Sequence, residues 1–535
     1  MTVAFRKQPL GLFLIAIGLF GILSLTPLAA MLAQFIIGIM KQPSAMGLLL
    51  IGSRQLILLG RSLGIAVGVT MVAFTLGLPT AIALSMRKLP YRNLFSMLVL
   101  IPLLVPPYVM AGAWIHLFNP TGILNKVVTS LFGSPISIYS VSGCMWCLGV
   151  SFFPIVALVV SAGLSKIDHN LQDVAKLSTN TIGVFWHSTL PQILPHILAS
   201  ASLVMIFALG RYGVPSLLGV NTYPVEIFTQ FSAFYDETAG IAVGAPLVIL
   251  VLALITIYRR FISKCSIESI EASSNNTREN IESIGKSQRS AISFLCLLFL
   301  GTTVLPFASV CISLQRFSII GAALSSAKVD IVSSLLWAAL AGIVSTSIAY
   351  PIGHYLACNH SSVRNILDMV CWLGIAIPGT ILGLGVIRLT NLVPPLRNSD
   401  SLGLLMVIAY TGLFTPFAIR VLEAGFRRVD RNIDEVAAVD GAGWYRRFVS
   451  IDMPLHAPFI ATSIMLVFVL SLGELNATVL LLPPGMSTMS VRIDNLLHYG
   501  ANATASALCL IEAGLVIITL ISGLFSWETA RKLLQ

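Results

Sequence analysis

Apolar stretches long enough to cross a lipid bilayer recur along the whole 535-residue chain. A helix needs roughly 20 apolar residues to cross the hydrocarbon core. Barrel strands are excluded because they would alternate apolar and polar residues, and backbone groups in lipid can then be satisfied only within helices. The sequence therefore predicts an all-α polytopic membrane protein with about twelve transmembrane helices. The predicted spans are residues 11–38, 62–86, 94–118, 141–163, 197–219, 239–258, 291–314, 333–357, 366–390, 402–422, 460–482 and 505–526.

Basic residues are distributed unevenly between the loops that join these spans. Most of the 32 Lys and Arg residues fall in alternate loops, on the side where Arg6 and Lys7 precede the first span. Basic loops stay in the cytoplasm, so we expect a multi-pass protein of the bacterial cytoplasmic (inner) membrane with both termini cytoplasmic. The net charge of +10 is then a topology signal, and it requires no nucleic acid as a partner.

The chain contains an internal repeat. At a fixed offset of 272 residues, Pro106 corresponds to Pro378, and after a ten-residue shortening the offset becomes 262. A polar run rich in Ser, Glu, Asn and Lys separates the halves and is typical of a flexible cytoplasmic linker. Each half has six spans starting on the same side, so the repeat is parallel. The predicted domains are residues 1–258 and 291–535, joined by the linker 259–290.

The loop between the tenth and eleventh spans, residues 423–458, has the features of a docking element. Asn432 can cap a helix, and Glu435 follows three residues later, as in a capping box. Gly441 can end that helix in a left-handed turn, and Pro454 marks where the next segment restarts. The residues alone leave two readings open: a helix that another protein approaches closely, or an amphipathic connector lying on the membrane.

The spacing in this loop resembles a known signature. Glu435, Ala437 and Gly441 give the pattern Glu-x-Ala-x-x-x-Gly. After nine further residues, Ile451 and Pro454 give Ile-x-x-Pro. The combined pattern resembles the signature loop of permease subunits from binding-protein-dependent ABC importers. Both halves have the six-span plan of that family, so the resemblance covers essentially the full chain.

The first half carries a weaker copy in the loop 164–195. Asp173 stands for the Glu and Ala175 for the Ala, whereas Thr179 replaces the Gly and the segment is one residue shorter. The resemblance implies that each loop holds a coupling helix that inserts into a groove on an ATPase subunit. The residues to which it assigns ATPase coupling are Asp173, Ala175, Glu435, Ala437 and Gly441.

The same resemblance implies the partners of the chain. These are two copies of an ABC ATPase subunit on the cytoplasmic face and a substrate-binding protein on the outer face, with lipid around the spans. The segment Gly285-Lys-Ser287 is not a phosphate loop, because position 280, where another Gly would be needed, is Asn. We therefore expect no cofactor, metal site or catalytic residue in this chain, with ATP and Mg bound by the partner ATPase.

Two charges fall inside the predicted fifth and eleventh spans, at repeat-equivalent positions: Arg211 and Glu474. Charges within a membrane are costly and tend to mark transport pathways. In the family that the chain resembles, these spans line the pore, so the two side chains are expected to face each other across the translocation pathway. The alternative is that each is a snorkelling or locally paired charge near the outer end of its span.

The stretch from Gly473 to Gly485, with Arg492 and Asn495 beyond it, resembles fused permeases of the ferric-iron type. This likeness favours ferric iron as the solute, with thiamine, phosphonate or polyamine as alternatives in the same importer class. An ion-coupled secondary transporter is a more distant alternative, for which Glu474 and Glu512 are the plausible coupling carboxylates. An intramembrane enzyme would need a catalytic constellation that we do not find in the sequence.

Overall fold

A computed structural model of the chain is helical, with no β-strand among the residues that it describes. In this part of the chain ten helices are long and apolar enough to cross a membrane, and two bent helix pairs bring the number to 12 if each pair is one span. The predicted all-α polytopic fold is confirmed. The described residues are 10–41, 53–86, 89–119, 122–165, 167, 177, 180–232, 237–271, 285–314, 316–359, 361–392, 402–429, 432–482, 485–500 and 503–533.

The helices of the two halves follow one another in closely similar order. In the first half they are Leu10–Phe20, Thr26–Lys41, Ser53–Ser85, Arg92–Leu104, Pro107–Phe118, Ile123–Phe132, Val141–Leu164, Thr181–Val184, Leu190–Leu209, Gly213–Leu217, Tyr223–Ser232 and Glu237–Glu271. In the second half they are Gly285–Phe299, Leu305–Ser313, Ser318–Ser326, Lys328–Cys358, Ser362–Ala376, Gly379–Leu392, Leu402–Arg428, Asn432–Val439, Trp444–Arg447, Met453–Leu472, Thr478–Leu481, Met489–His498 and Ala503–Leu533.

Four spans contain a wide π-helical turn, and each turn lies just before a proline. The turns are Gly21–Leu25, Phe185–Thr189, Leu300–Val304 and Phe448–Asp452, ahead of Pro27, Pro191, Pro306 and Pro454. Proline lacks a backbone N–H and its ring clashes with the carbonyl four residues earlier, and a π turn shifts the hydrogen bonds to a wider spacing. The eleventh span consequently runs unbroken over Trp444–Leu472, so the prediction that Pro454 restarts a segment is wrong.

The third and ninth spans are sharply bent. The angles between their two helices are 91° and 101°, so each of the predicted spans 94–118 and 366–390 consists of two helices. The bends lie at Val105 and Ile377, which have extended backbone conformations. Each of these residues precedes a proline of the repeat, and a following proline disfavours the helical conformation.

The fifth and eleventh spans end earlier than their apolar stretches. Their helices stop at Leu209 and Leu472, in each case one residue before a glycine. The predicted spans 197–219 and 460–482 are therefore wrong at these ends, although the apolar residues continue. Arg211 and Glu474 lie in equivalent breaks beyond the helices and not inside them.

The first span packs against the second half of the chain. The ring of Phe13 stacks on that of Tyr355 with centroids 4.3 Å apart. The hydroxyl of Ser24 donates a hydrogen bond of 2.9 Å to the backbone carbonyl of Gly412 in the tenth span. Both contacts cross the boundary between the predicted domains.

The seventh span, which is the first span of the second half, packs in turn against the first half of the chain. The hydroxyl of Ser309 donates a hydrogen bond of 3.2 Å to the carbonyl of Ala113, which lies in the third span. Leu295 and Leu298 belong to a core formed mainly by first-half residues. Each half therefore contributes its first span to the packing of the other half.

The polar run predicted to be a flexible linker is helical at both of its ends. The helix of the sixth span continues to Glu271, and the helix of the seventh begins at Gly285. The prediction of a flexible segment over 259–290 is therefore wrong for those parts. The centre of the run, 272–284, lies outside the described residues.

Candidate translocation site and docking loop

The two breaks after the fifth and eleventh spans meet the two bends of the opposite halves. A Cβ built on Gly210 would lie 3.7 Å from the Cα of Pro378, and one built on Gly473 would lie 2.6 Å from the Cγ of Pro106. We call these two contacts crosswise, because the glycine of each half meets the proline of the other half. They are equivalent under the internal repeat. The halves thus touch closely at the level where the helices break.

One hydrogen bond joins the two breaks to each other, and two more lie within the second break. The backbone N–H of Tyr212 donates 3.0 Å to Oδ1 of Asn476 across the boundary between the halves. Within the second break, Oε1 of Glu474 accepts 2.9 Å from the N–H of Ala477. The hydroxyl of Thr478 donates 2.7 Å to the Glu474 carbonyl. The second break is consequently held by its own short helix and by the first break.

A cavity of about 220 Å³ lies beside the breaks. Leu466 and Leu470 line it about two turns and one turn before Glu474 on the eleventh span, so it extends from the breaks toward the end of the spans that carries the helix Asn432–Val439. Its wall is mainly apolar. The charged and amide side chains that line it are Arg211, Glu474 and Asn476.

Arg211 and Glu474 both line this cavity, but they do not form a direct ion pair in the described structure. The Arg211 guanidinium lies over the ring of Phe152, 5.7 Å from its centroid. Glu474 is near enough to interact with it electrostatically. Their role as a functional pair stays a prediction, as does their part in translocation.

A further buried carboxylate lies at the boundary between the halves. The hydroxyl of Tyr108, in the third span, donates 2.6 Å to Oε1 of Glu512 in the twelfth span. The sequence singles out Glu512 but gives no sign of Tyr108, which stands in a largely apolar span. Asn476 and Phe152 are likewise new members of the site, and only the position of Asn476 two residues after Glu474 could have drawn attention to it.

The signature loop contains the predicted helix, Asn432–Val439. Gly441 has φ +83°, a left-handed conformation. The N–H of Ala442 donates 3.0 Å to the carbonyl of Ala437, which is the long hydrogen bond of a Schellman cap. The prediction that Gly441 ends this helix in a left-handed turn is confirmed.

An apolar stripe on this helix is open to solvent. Ile433, Val436 and Val439 are spaced three residues apart and are 45%, 60% and 80% exposed. Residues at that spacing are neighbours on a helix surface. Exposed apolar stripes of this kind mark surfaces that contact another protein or a membrane, so the stripe fits both a docking helix and a connector on the membrane.

Parts of the two signature loops lie outside the described residues. Asp173 and Ala175 are among them, so the first coupling site stays a prediction. In the second loop the backbone of Glu435 is helical, and its side chain, with that of Asn432, is not described. The capping box therefore also stays a prediction, whereas Ala437 lies half-buried in the helix.

An ionic network anchors the span that leads into the second loop. Oδ1 of Asp368 accepts 2.7 Å from Nη1 of Arg420, and its Oδ2 accepts 3.0 Å from Nη2 of Arg259 in the sixth span. Glu423 pairs with both Arg420 and Arg427. The network thus ties a first-half span to the ninth and tenth spans. The repeat-equivalent residues Ser96, Leu158 and Ser161 cannot form a copy of it.

Two clamps of similar design hold the short helices that follow the breaks. The Ser62 hydroxyl accepts 2.8 Å from the N–H of Tyr223, and the Ser334 hydroxyl accepts 2.9 Å from the N–H of Met489. The serines are equivalent at the offset of 272. Each clamp therefore fixes the first residue of a short helix to the long helix that forms the second span of its own half.

An ion pair reinforces each clamp with opposite polarity. Arg54 on the long helix meets Glu226 on the short helix at 3.1 Å. In the second half, Asp330 on the long helix meets Arg492 on the short helix at 2.6 Å. The two halves preserve the interaction while exchanging the signs of the partners.

Comparison with known proteins finds one family in both halves. Residues 73–266 and 349–531 each match the family described as binding-protein-dependent transport system inner membrane component. One match lies mostly within each predicted domain, and together the matches include both signature loops. The family is a transport permease component of the inner membrane.

Some relatives match along most of this chain. The Fe(3+)-transport system permease protein FbpB 2 of Haemophilus influenzae is 24% identical over 456 residues, 83% of this chain and 85% of the relative. The ferric transport system permease protein FbpB of Actinobacillus pleuropneumoniae is 20% identical over 82% of this chain and 66% of the relative.

A second group of relatives is more similar over a shorter stretch. The putative 2-aminoethylphosphonate transport system permease protein PhnV of Salmonella paratyphi A is 32% identical over 169 residues, 32% of this chain and 62% of the relative. Family matches in both halves, on a helical fold with up to twelve spans, place the chain: it belongs to the binding-protein-dependent transport system inner membrane component family, as a permease with two such domains fused in one polypeptide.

Proposed function

We propose that the chain is the membrane permease of an ATP-driven importer that receives a small solute from a binding protein. The observation that carries this proposal is the capped helix Asn432–Val439 with its exposed apolar stripe, in a chain that belongs to an importer permease family. Two ATPase subunits dock on the cytoplasmic loops, and the binding protein docks on the opposite face. Both termini are then cytoplasmic.

In this mechanism the chain supplies the pathway and the partners supply the energy. Closure of the ATPases draws the two signature loops together. The crosswise contacts of Gly210 with Pro378 and of Gly473 with Pro106 lie at the end of the cavity remote from the second signature helix. Their separation would open the cavity toward the binding protein, so the breaks and bends act as the outer gate.

The cargo that we propose is ferric iron. The support is the likeness to ferric permeases, which extends over 83% of this chain in one relative. The phosphonate permeases match only 32% of the chain. Phosphonate is the second candidate because that shorter match has the higher identity.

The test is ATP-dependent uptake by the complete system in proteoliposomes. The permease is purified with its ATPase and its binding protein, and uptake of radioactive iron is compared with uptake of 2-aminoethylphosphonate. The permease purified alone should hydrolyse no ATP above background. Uptake that follows an ion gradient without ATP, or substantial ATPase activity of the isolated permease, would contradict the proposal.

A further inference from the structure

The guanidinium of Arg211 is a charged group on the mainly apolar wall of the cavity. It borders the cavity of about 220 Å³, and it lies over the face of the Phe152 ring. Among the residues that the structure describes, its side chain has no hydrogen bond and no ion pair within 4 Å. Arginine presents five N–H donors in a planar fork. The fork at this position is open to whatever occupies the cavity.

The carboxylate of Glu474 lines the same cavity, and one of its two oxygens has a local partner. Its Oε1 accepts the N–H of Ala477 at the start of the helix Thr478–Leu481. A carboxylate that accepts N–H groups at a helix N-terminus is already stabilised. The two charges of the site therefore differ in their hydrogen bonds: the anion has one local partner, and the cation has none among the described residues.

The apolar wall of the cavity strengthens the electrostatic interaction between Arg211 and a solute. Leu466 and Leu470 line the cavity with Phe207, Phe414 and Phe417. Charge interactions are stronger in surroundings of low dielectric constant than in water. In this cavity an oxyanion can form a bidentate, charge-assisted pair with the guanidinium of Arg211.

We infer that the solute crosses this cavity as an oxyanion or in complex with one, and that Arg211 is the residue that receives the oxyanion. The inference rests on the proposed function and narrows its substrate class. It disfavours a bare polyamine or thiamine cation. A phosphonate satisfies the requirement for an oxyanion. Ferric iron that carries an oxyanion ligand also satisfies it, since Fe³⁺ as a hard cation binds oxygen donors.

Size is compatible with both sources. A cavity of about 220 Å³ holds roughly seven waters at about 30 Å³ each. That space admits a phosphate or a small phosphonate with part of its hydration. It also admits one ferric ion with a single small oxyanion.

The experiment uses the complete transporter in proteoliposomes and counts two labels. In one arm, ⁵⁵Fe³⁺ is supplied with ³²P-labelled inorganic phosphate, and internal iron and phosphate are both measured. In the other arm, labelled 2-aminoethylphosphonate is supplied without iron. The expected result is ATP-dependent entry of an oxyanion in at least one arm, and the arm that responds identifies its source.

Variants test the assignment to Arg211. Arg211→Gln should lower uptake at least tenfold, Arg211→Lys should retain part of it, and Glu474→Gln should have the smaller effect of the two neutralisations. Co-purification with the ATPase checks that each variant is folded. If Arg211→Gln does not fold, a rise in the thermal unfolding temperature of the wild-type permease with inorganic phosphate, reduced in Arg211→Lys, supplies the second measurement.

The outcomes separate the inference from the proposed function. ATP-dependent entry of iron without phosphate, or of a polyamine, or unchanged oxyanion uptake in Arg211→Gln, overturns the inference and leaves the importer intact. Absence of any ATP-dependent uptake by the wild-type complex overturns the proposed function, and the inference falls with it.

Discussion

A single methyl group should distinguish the two crosswise contacts at the helix breaks. Alanine at Gly473 would place its Cβ 2.6 Å from Cγ and 3.1 Å from Cβ of Pro106, whereas ordinary contact begins at 3.4 Å. The break must then open by about 0.8 Å, and the proline ring cannot rotate away. Alanine at Gly210 would meet its nearest atoms at 3.6 Å and 3.7 Å. It therefore fits without displacement.

Backbone strain does not enter this comparison. Gly473 has φ −87° and ψ 6°, and Gly210 has φ −84° and ψ −4°, both open to alanine. Overpacking of this kind typically costs about 1–3 kcal/mol. Replacing an unstrained glycine by alanine typically stabilises by about 0.4–1 kcal/mol. We expect Gly473→Ala to be destabilising and Gly210→Ala to be neutral or slightly stabilising.

Thermal unfolding of the purified permease measures the difference, with membrane yield as the check on insertion. The unfolding temperature of Gly473→Ala should fall below that of the wild type, and that of Gly210→Ala should not. ATP-dependent uptake should follow the same order, since the contact lies at the proposed gate. Equal behaviour of the two variants would refute the steric argument, because their backbone conformations are the same.

Three other predictions concern charges. Glu435→Arg should detach or uncouple the ATPase while leaving membrane insertion intact, because it reverses the charge in the first turn and places a long side chain on the docking helix. Asp173→Arg should reduce ATPase coupling less. Normal ATPase co-purification with Glu435→Arg would contradict this role. Arg211→Gln and Glu474→Gln should couple by roughly 0.5–3 kcal/mol in a double-mutant cycle on uptake; additive effects would mean that the two groups act independently. Asp368→Asn should raise the ratio of ATP hydrolysed to solute transported, because it frees the tenth span. Its effect on stability should be small since the ionic network is partly exposed. An unchanged ratio would mean that the network serves only to pack the spans together.

Much of the architecture is readable from the sequence because it follows from two simple signals. Apolar length gives the number of spans, and the constant offset identifies residues that the structure uses in equivalent ways. Ser62 and Ser334 are an example, since both clamp a short helix. The offset also pairs Pro106 with Pro378, although their function as bends is visible only in the structure.

The features that were missed depend on contacts between distant segments. Hydropathy continues through Gly210 and Gly473, so it carries no sign that the helices end there. A proline inside an apolar stretch can produce a π turn, as before Pro454, or a bend of about 90°, as at Pro106. Neighbouring helices decide between these outcomes, and their identity is not encoded in local periodicity.

The candidate site was predicted only in part for the same reason. Arg211 and Glu474 were found because charges in apolar stretches are rare. Phe152 is one of many aromatic residues in the spans, and nothing local distinguishes it. The difference in hydrogen bonding between the two charges depends on the helix start at Ala477 and Thr478, which only a folded structure reveals.

The exchange of first spans sets an order of events during synthesis. Lys41 ends the first span, and the tenth span that receives it begins at Leu402, about 360 residues later; at roughly 5–20 residues per second, that interval is about 20–70 s. Throughout it the Ser24 hydroxyl lacks the carbonyl that it will finally meet, and the stacking partner of Phe13, Tyr355, appears only late in the interval. A nascent chain that stalls in the polar run would therefore expose a first half with one misplaced helix and one empty groove. Fusion of the halves makes filling that groove an intramolecular event, and it spares the cell from having to match two separately synthesised chains.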